Sequence, residues 1–432
     1  MPPLVETHLA NTVLTNGARF YVDHAHPEYS TPECGDPLEA VLHDKAGEEV
    51  LRRSMAAAAA LFPESPPVVV YKNNSDGKGN SYGCHENYLM DRAVPFGQVI
   101  AGVVPHFVTR QIFTGAGKVG TETATFDHGE VPFQISQRAE FFEEVVGLET
   151  TLKRPIVNTR DEPHADPSRF RRLHVIVGDA NLSEVATFLK LGTTAVVLAM
   201  VEDGIQPPRD LAPSDPVRAM HQVSADLGLS RPLELADGSS ATALEIQWEL
   251  LTAARKYAEE RGLEAIGPET VSRSVLDRWE AVLHGLETDP AALAHELDWV
   301  AKYQLVLAYK DRHGCQWDDD RLFALDLQYH DLRPSRSLHA RLSTERLVDP
   351  EAVARAVTEP PPDTRAWFRG QCLARWPDAV VTANWDSLVF DLGTDPLRRV
   401  PMMDPLKGTA EHTSALLDAS ASPAELLDRL SS

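Results

Sequence analysis

Apolar and polar residues alternate with a period of two from Ala18 to Asp23. Ala18, Phe20 and Val22 fall on one face and Arg19, Tyr21 and Asp23 on the other, which predicts a strand with one polar face. Along that face a guanidinium, a phenol and a carboxylate follow one another about 7 Å apart, a spacing at which successive groups can touch one polyanion or metal. Pro27 is expected to end the strand and turn Glu28 back toward the same groups. A polar edge strand with solvated side chains would show the same alternation. Asp36 and Pro37 then read as the cap and first turn of an amphipathic helix running to about Leu61 and closed by Pro63 and Pro66-Pro67. Its run Ala56–Ala60 is expected to be a close-packed face.

Val68–Lys72 reads as a buried strand that delivers a polar stretch, Lys72–Leu89. Gly77, Gly79 and Gly83 permit tight turns there, so that Lys72, Lys78, His85, Glu86 and Asn87 can converge on a ligand; a surface hairpin is the alternative. The glycines lack the spacing of a P-loop or a dinucleotide fingerprint. Phe96–Phe113 is expected to be helical. Phe133–Arg138 alternates and ends on Arg138; Val157–Asp166 brings Arg160, Asp161, Glu162 and His164 into one turn; Leu173–Asp179 reads as a buried strand opening near His174. A guanidinium fork matches phosphate and carboxylate geometry, and each charge-assisted hydrogen bond is worth roughly 1.5 to 3 kcal/mol, so arginines recurring at successive strand ends suit an anion site. Each alone serves equally well as a salt-bridge partner.

From Asn181 the period changes to that of helices: Ser183–Glu202, then Thr242–Tyr257, Val271–Leu283, Ala291–Tyr309 and Leu322–Leu332. Trp248, Trp279 and Trp299 read as core, and His330 as a core or rim histidine. The proline run in Glu359–Asp363 marks a boundary, with a domain over 1–360 and a small one over 361–432. The fold class is α+β.

Composition narrows the partners. The chain has 432 residues, 43% hydrophobic and 24% charged, with a formal charge of −23. That balance argues against sequence-independent nucleic-acid binding and requires a local basic groove for any acidic ligand. Cys34, Cys84, Cys315 and Cys372 are dispersed, with no CxxC pair, which suits reduced thiols in a cytoplasm. Apolar runs such as Met55–Phe62 and Thr193–Val201 are too short to span a bilayer, and no signal peptide opens the sequence, so no membrane association is expected.

Taken together, the motifs NGARFYVDHAHPEYSTPEC, YKNNSDGKGNSYGCHENYL, QISQR, NTRDEPHADPSRFRRLHVIVGDANLSE and PPPDTRAWFRG resemble the enzymes that act on the prokaryotic ubiquitin-like protein Pup. These are the Pup deamidase/depupylase and its paralogue the Pup ligase, both within the glutamine synthetase-like carboxylate-amine ligase superfamily. VDHAHPEY, with His24 and Ala25, and the later GLETTLKRPIVNTRDEPHAD look like the depupylase.

The resemblance implies a curved antiparallel sheet cradle backed by helices, ATP and Mg2+ as cofactors, and Pup and pupylated proteins as partners. It implies deamidation of the C-terminal glutamine of Pup and cleavage of the isopeptide bond to substrate lysines. Asp23 matches the family's catalytic aspartate, as nucleophile or as the base that activates water. Tyr21 and Glu28 match metal-holding residues, and Arg19, Thr31 and Trp385 match ATP contacts. His85, Arg138, Arg160 and His174 match positions lining the phosphate and reaction site. Lys153, Arg154, Arg171 and Arg172 are candidates for the Pup groove. Family members open with a Gly-x-Glu-x-Glu strand that completes the metal site, and this sequence shows none before Asn16. A fragment, or a protein lacking that strand with weakened ATP binding, is therefore expected. Pup ligation, or a Pup-binding remnant without turnover, are the alternative functions.

Overall fold

The computed structural model describes residues 11–23, 26–123, 131–207, 210–393 and 396–431. It groups the chain into two compact units, one drawn from Met1–Ser54, Pro163–Ser168 and Val348–Ser432, the other from Met55–Glu162 and Arg169–Leu347. Both mix helix and sheet, as an α+β chain should. Among the described residues the strand pairings are antiparallel, except that Phe142–Gly147 runs parallel to Arg154–Asn158.

The first unit opens on a three-stranded sheet with Arg19–Asp23 between Asn11–Val13 and His26–Ser30. Pro27 does not end a strand: it sits within His26–Ser30, opposite Val22. That strand is an edge, where a missing N–H costs no ladder bond. His24 and Ala25 lie outside the described residues. Leu14, Phe20 and Tyr29 pack with Leu42, Ala46 and Val50 of the following helix and with Ala356 and Val357. That helix, Pro37–Leu61, begins where expected, with Asp36 Oδ1 accepting from the Leu38 and Glu39 amides at 2.8 and 2.9 Å. Its alanine run is mostly exposed, not close-packed. Alanine favours helix without needing a partner, so the run reports propensity only.

The C-terminal part of this unit is a second three-stranded sheet, Val380–Ala383, Ser387–Phe390 and Arg398–Pro401, covered by Ala366–Arg375 and two closing helices. Phe368, Cys372, Leu388, Phe390 and Leu417 form its core. A Cβ at Gly370 would lie 2.2 Å from the Thr15 carbonyl oxygen, so only glycine lets this helix meet the turn before the first sheet's central strand.

In the second unit Phe96–Thr109, Glu184–Glu202, Ala243–Arg261 and Glu269–Thr288 pack around the buried Trp279. Ser183 caps its helix as expected, its hydroxyl accepting from the Ala186 amide. Glu184–Glu202 joins two apolar runs into 19 residues of mean hydropathy 1.6, enough to cross a membrane by length and composition, but 89% of the qualifying window is buried inside the unit. It is a core helix. Trp279 and Trp299 are core, whereas Trp248 is half-buried and donates its indole N–H to Glu287. His330 is buried, with Nε2 2.7 Å from Lys302 Nζ.

Val68–Lys72 is not a strand. Val68 is exposed and only Tyr71 pairs, in an isolated bridge to Asp331. An apolar run cannot supply its own pairing partner, and here the pairing stops at that one bridge, with Lys72 N donating to the His330 carbonyl oxygen and Leu332 N to that of Val70. The strand in this region is Glu86–Asp91, antiparallel to Phe170–Val175.

Candidate active site

The register of the first sheet sets its polar face. Arg19 stands opposite Ser30, Tyr21 opposite Glu28, and Asp23 opposite His26. Tyr21 OH donates to Glu28 Oε2 at 2.7 Å and lies 3.3 Å from Ser30 Oγ. Burial, with the adjacent Glu28 carboxylate, pushes the phenol up to about 12, so it keeps its proton at neutral pH and orients Glu28. Asp23 is exposed at the end of the strand, on the same face. The face thus presents two carboxylates and two hydroxyls, an all-oxygen donor set of the hardness Mg2+ prefers.

Toward the other end of that face, Arg19 reaches the C-terminal sheet of the same unit. Its Nη2 lies 3.4 Å from both the Ala383 carbonyl oxygen and Asn384 Oδ1, and its guanidinium sits 5.9 Å from the centre of the Trp385 ring. Arg369 stands 5.1 Å from the same ring. Val13, Gly17, Arg19, Arg369, Asn384 and Trp385 line a shallow, tightly closed cleft. Arg19 Nε is buried there with no hydrogen-bond partner. Burial and the like charge of Arg369 lower the Arg19 pKa. The unsatisfied Arg19 donor beside an aromatic face fits an anionic ligand carrying a planar ring, as a nucleotide does. Thr31, half-buried, follows the edge strand.

Below the cleft, Glu33 takes Arg365 Nε at 2.7 Å and an ion pair from Arg369 Nη2. Burial alone would raise the Glu33 carboxyl, but the two guanidinium groups override it and hold it down to about 2. Thr364 Oγ1 donates to the Glu33 carbonyl oxygen at 2.7 Å, so Glu33 ties the first sheet to the helix bearing Arg369. Sequence reasoning missed Glu33, Arg369 and Asn384 as supports of the site, although Glu33 and Arg369 lie inside the quoted motifs and Asn384 adjoins Trp385.

The second unit holds the remaining candidates. His85 and His174 meet edge to face with ring centroids 5.2 Å apart. His85 is exposed on the surface, and desolvation by neighbouring groups, followed by the charges of Arg138 and His174, lowers its pKa. Burial, then Arg172 and Arg160, bring His174 to about 4. Both rings are therefore neutral at pH 7.

Arg138 is buried. Its Nε donates to Ser81 Oγ at 3.2 Å, and its Nη1 donates to the carbonyl oxygens of Ile176 and, at 3.0 Å, Gly178. A Cβ at Gly83 would sit 2.6 Å from Arg138 Cδ, so the glycine lets the loop close over this side chain. Much of the expected anion-binding fork is thus spent on holding backbone. Arg160 is exposed, its amide capped by Asn158 Oδ1 at 2.8 Å.

Of the polar stretch before this strand, His85 and Asn87 share the site, but Glu86 points inward. Glu86 pairs with Arg110 at 2.5 and 2.9 Å and accepts from Tyr88 OH at 2.6 Å. The alternation of a strand accounts for this. Among the groove candidates, Arg154 donates to the Ser81 and Thr150 carbonyl oxygens and Arg171 to that of Val94, while Lys153 is exposed.

A family model described as Pup-ligase protein matches residues 3–389. A depupylase of Acidothermus cellulolyticus is 53% identical over 98% of this chain and 84% of its own length. A Pup deamidase/depupylase of Mycolicibacterium smegmatis is 49% identical over 99% and 86%. A Pup–protein ligase of Kineococcus radiotolerans is 42% identical over 95% and 90%. Two solved structures of the Pup ligase PafA, one with ADP and one with Pup, each superpose with a TM-score of 0.85 at 35% and 34% identity, covering 95% and 99% of this chain and 90% and 88% of theirs. The chain belongs to the Pup-ligase protein family.

Proposed function

We propose that the protein is a Pup deamidase and depupylase: it hydrolyses the C-terminal glutamine amide of Pup and the isopeptide bond joining Pup to substrate lysines. The observation that carries this choice over the ligase is the gradient of similarity over almost the whole chain, 53% and 49% to depupylases against 42% to a ligase. Pup and pupylated proteins are its partners.

Hydrolysis of an amide needs a nucleophile or base, and a means of neutralising the developing oxyanion. Asp23, an exposed carboxylate at the end of the first sheet's central strand, takes the first role, attacking the carbonyl or deprotonating water. ATP is the nucleotide, held by Arg19, Trp385 and Thr31, a reading supported by the ADP-bound relative and by the unsatisfied Arg19 donor. Glu28, oriented by Tyr21, would hold Mg2+, and the ion bound there supplies positive charge. Arg138, Arg160, His85 and His174 line the phosphate and reaction site, with Arg138 acting chiefly by fixing its loop. Four free cysteines accord with a cytoplasmic location. A catalytic division at 1–360 and a small domain at 361–432 remain part of this proposal.

The test is incubation with ATP, Mg2+ and glutamine-ended Pup, followed by ammonia release and intact mass. Deamidation is expected, with Asp23→Asn abolishing it while the fold persists. Conjugation of Pup to a lysine-bearing protein in place of hydrolysis would overturn the choice in favour of the ligase.

A further inference from the structure

Asn87 lies opposite His174 in the antiparallel pair, and Arg172 lies on the same face two pairs further along, opposite Leu89. The Arg172 guanidinium is held from three directions. Its Nε donates to the Glu162 carbonyl oxygen at 2.6 Å, its Nη2 to Glu162 Oε2 at 2.9 Å, and its Nη1 to Asn87 Oδ1 at 2.6 Å. A guanidinium has donors only, so the Asn87 atom facing it is the amide oxygen, and this fixes which way the amide points.

His174 Nδ1 lies 2.9 Å from that same oxygen and 3.1 Å from Arg172 Nη1. An amide oxygen cannot donate, and a bare Nδ1 would set two lone pairs against each other at that distance. The closer contact therefore places the ring proton on Nδ1, with Asn87 Oδ1 accepting from both neighbours. The longer approach of Nη1 to Nδ1 is that of two donors sharing one acceptor.

We infer that Asn87 and Arg172 are positioning residues that lock His174 as the neutral tautomer protonated on Nδ1, leaving the Nε2 lone pair as the acceptor presented to a ligand. The inference rests on the reading of His174 as a site residue. The charged and titratable groups around the ring are Arg172 and Arg160, with Glu162 opposing them and His85 at its edge. Three of these come from the strand or the loop before it, so the lock is local to this unit. A ring so locked accepts a hydrogen bond from an O–H or N–H of a ligand and orients that donor. It does not offer an N–H to an oxyanion, which falls to the arginines.

The test uses the full chain with 15N-labelled histidine, two-bond proton–nitrogen spectra at neutral pH, and His174→Gln to assign the signal. The expected pattern is that of a neutral ring protonated on Nδ1. Asn87→Leu, which keeps the volume and removes the acceptor, is expected to shift His174 toward the Nε2-protonated form. It should also lower kcat for Pup deamidation by roughly tenfold or more with little change in KM, the cost typical of removing the outer partner of a functional histidine. Arg172→Gln, which frees the Asn87 amide to rotate, is expected to give a mixture of tautomers. An Nε2-protonated ring in the parent protein, or a tautomer unmoved by Asn87→Leu, would overturn the lock. Absence of Pup deamidation by the parent protein would count against the functional reading alone, because the spectrum judges the lock without it.

Discussion

Tyr21 shows how one side chain can orient another across a strand pair. Its hydroxyl donates to Glu28 across the strand pair and, pushed up to about 12, keeps its proton. Tyr21→Phe removes one net hydrogen bond, a cost of about 1 kcal/mol in stability. Its larger expected effect is on Glu28, freed to adopt other rotamers: the Mg2+ concentration needed for half-maximal Pup deamidation should rise severalfold with maximal activity largely retained. A magnesium titration of activity checks this. Asp23 and Tyr21 were legible from the sequence, since alternation alone puts them on one face. The commitment of Arg138 to the carbonyls of Ile176 and Gly178 was not, because nothing in QISQR says where backbone some 40 residues downstream will lie.

At the scale of elements, two buried ion pairs make predictions of opposite kind. The Glu33 carboxyl, held down to about 2 by Arg365 and Arg369, contributes stability that is complete above its ordinary value near 4.5 and is lost as the pH falls from there toward 2. The shift corresponds to on the order of 3 kcal/mol. Glu33→Gln should therefore lower the melting temperature at pH 7 and shrink that difference on acidification through this window, as thermal melts at successive pH values will show. The second pair, Glu86 with Arg110, has both side chains almost wholly buried. Arg110→Met leaves a buried carboxylate without its cation and is expected to destabilise by about 3–5 kcal/mol. The double variant with Glu86→Leu should recover much of that loss, measured by denaturant unfolding.

Elements whose caps lie next to them in sequence were legible: Asp36 and Ser183 announce their helices and do cap them. Val68–Lys72 was misjudged because strand formation depends on a distant partner.

For the molecule as a whole, the charge of −23 sets an expectation that needs no site. Duplex DNA should not bind at physiological salt, since neutralising its phosphates requires a basic face; a gel-shift titration showing retardation would contradict it. The composition of the first unit, which unites Met1–Ser54 with Val348–Ser432, could not be read from local pattern. Gly370, seven residues beyond the proline run at Glu359–Asp363, packs against the Thr15 carbonyl.

By itself, then, the sequence determined the α+β class, the polar face of the Arg19–Asp23 strand, the capped helices and the family. Each is encoded in residues close together in the chain, through side-chain period, capping chemistry and motif. Only the tertiary structure decided which cations stay available and which are consumed. Arg369 pairs with Glu33, Arg172 braces Asn87 against His174, and Arg19 keeps a buried N–H without a partner. Whether a buried charge is structural or poised for a ligand depends on which groups surround it, and for these residues those groups come from segments many tens to hundreds of positions away.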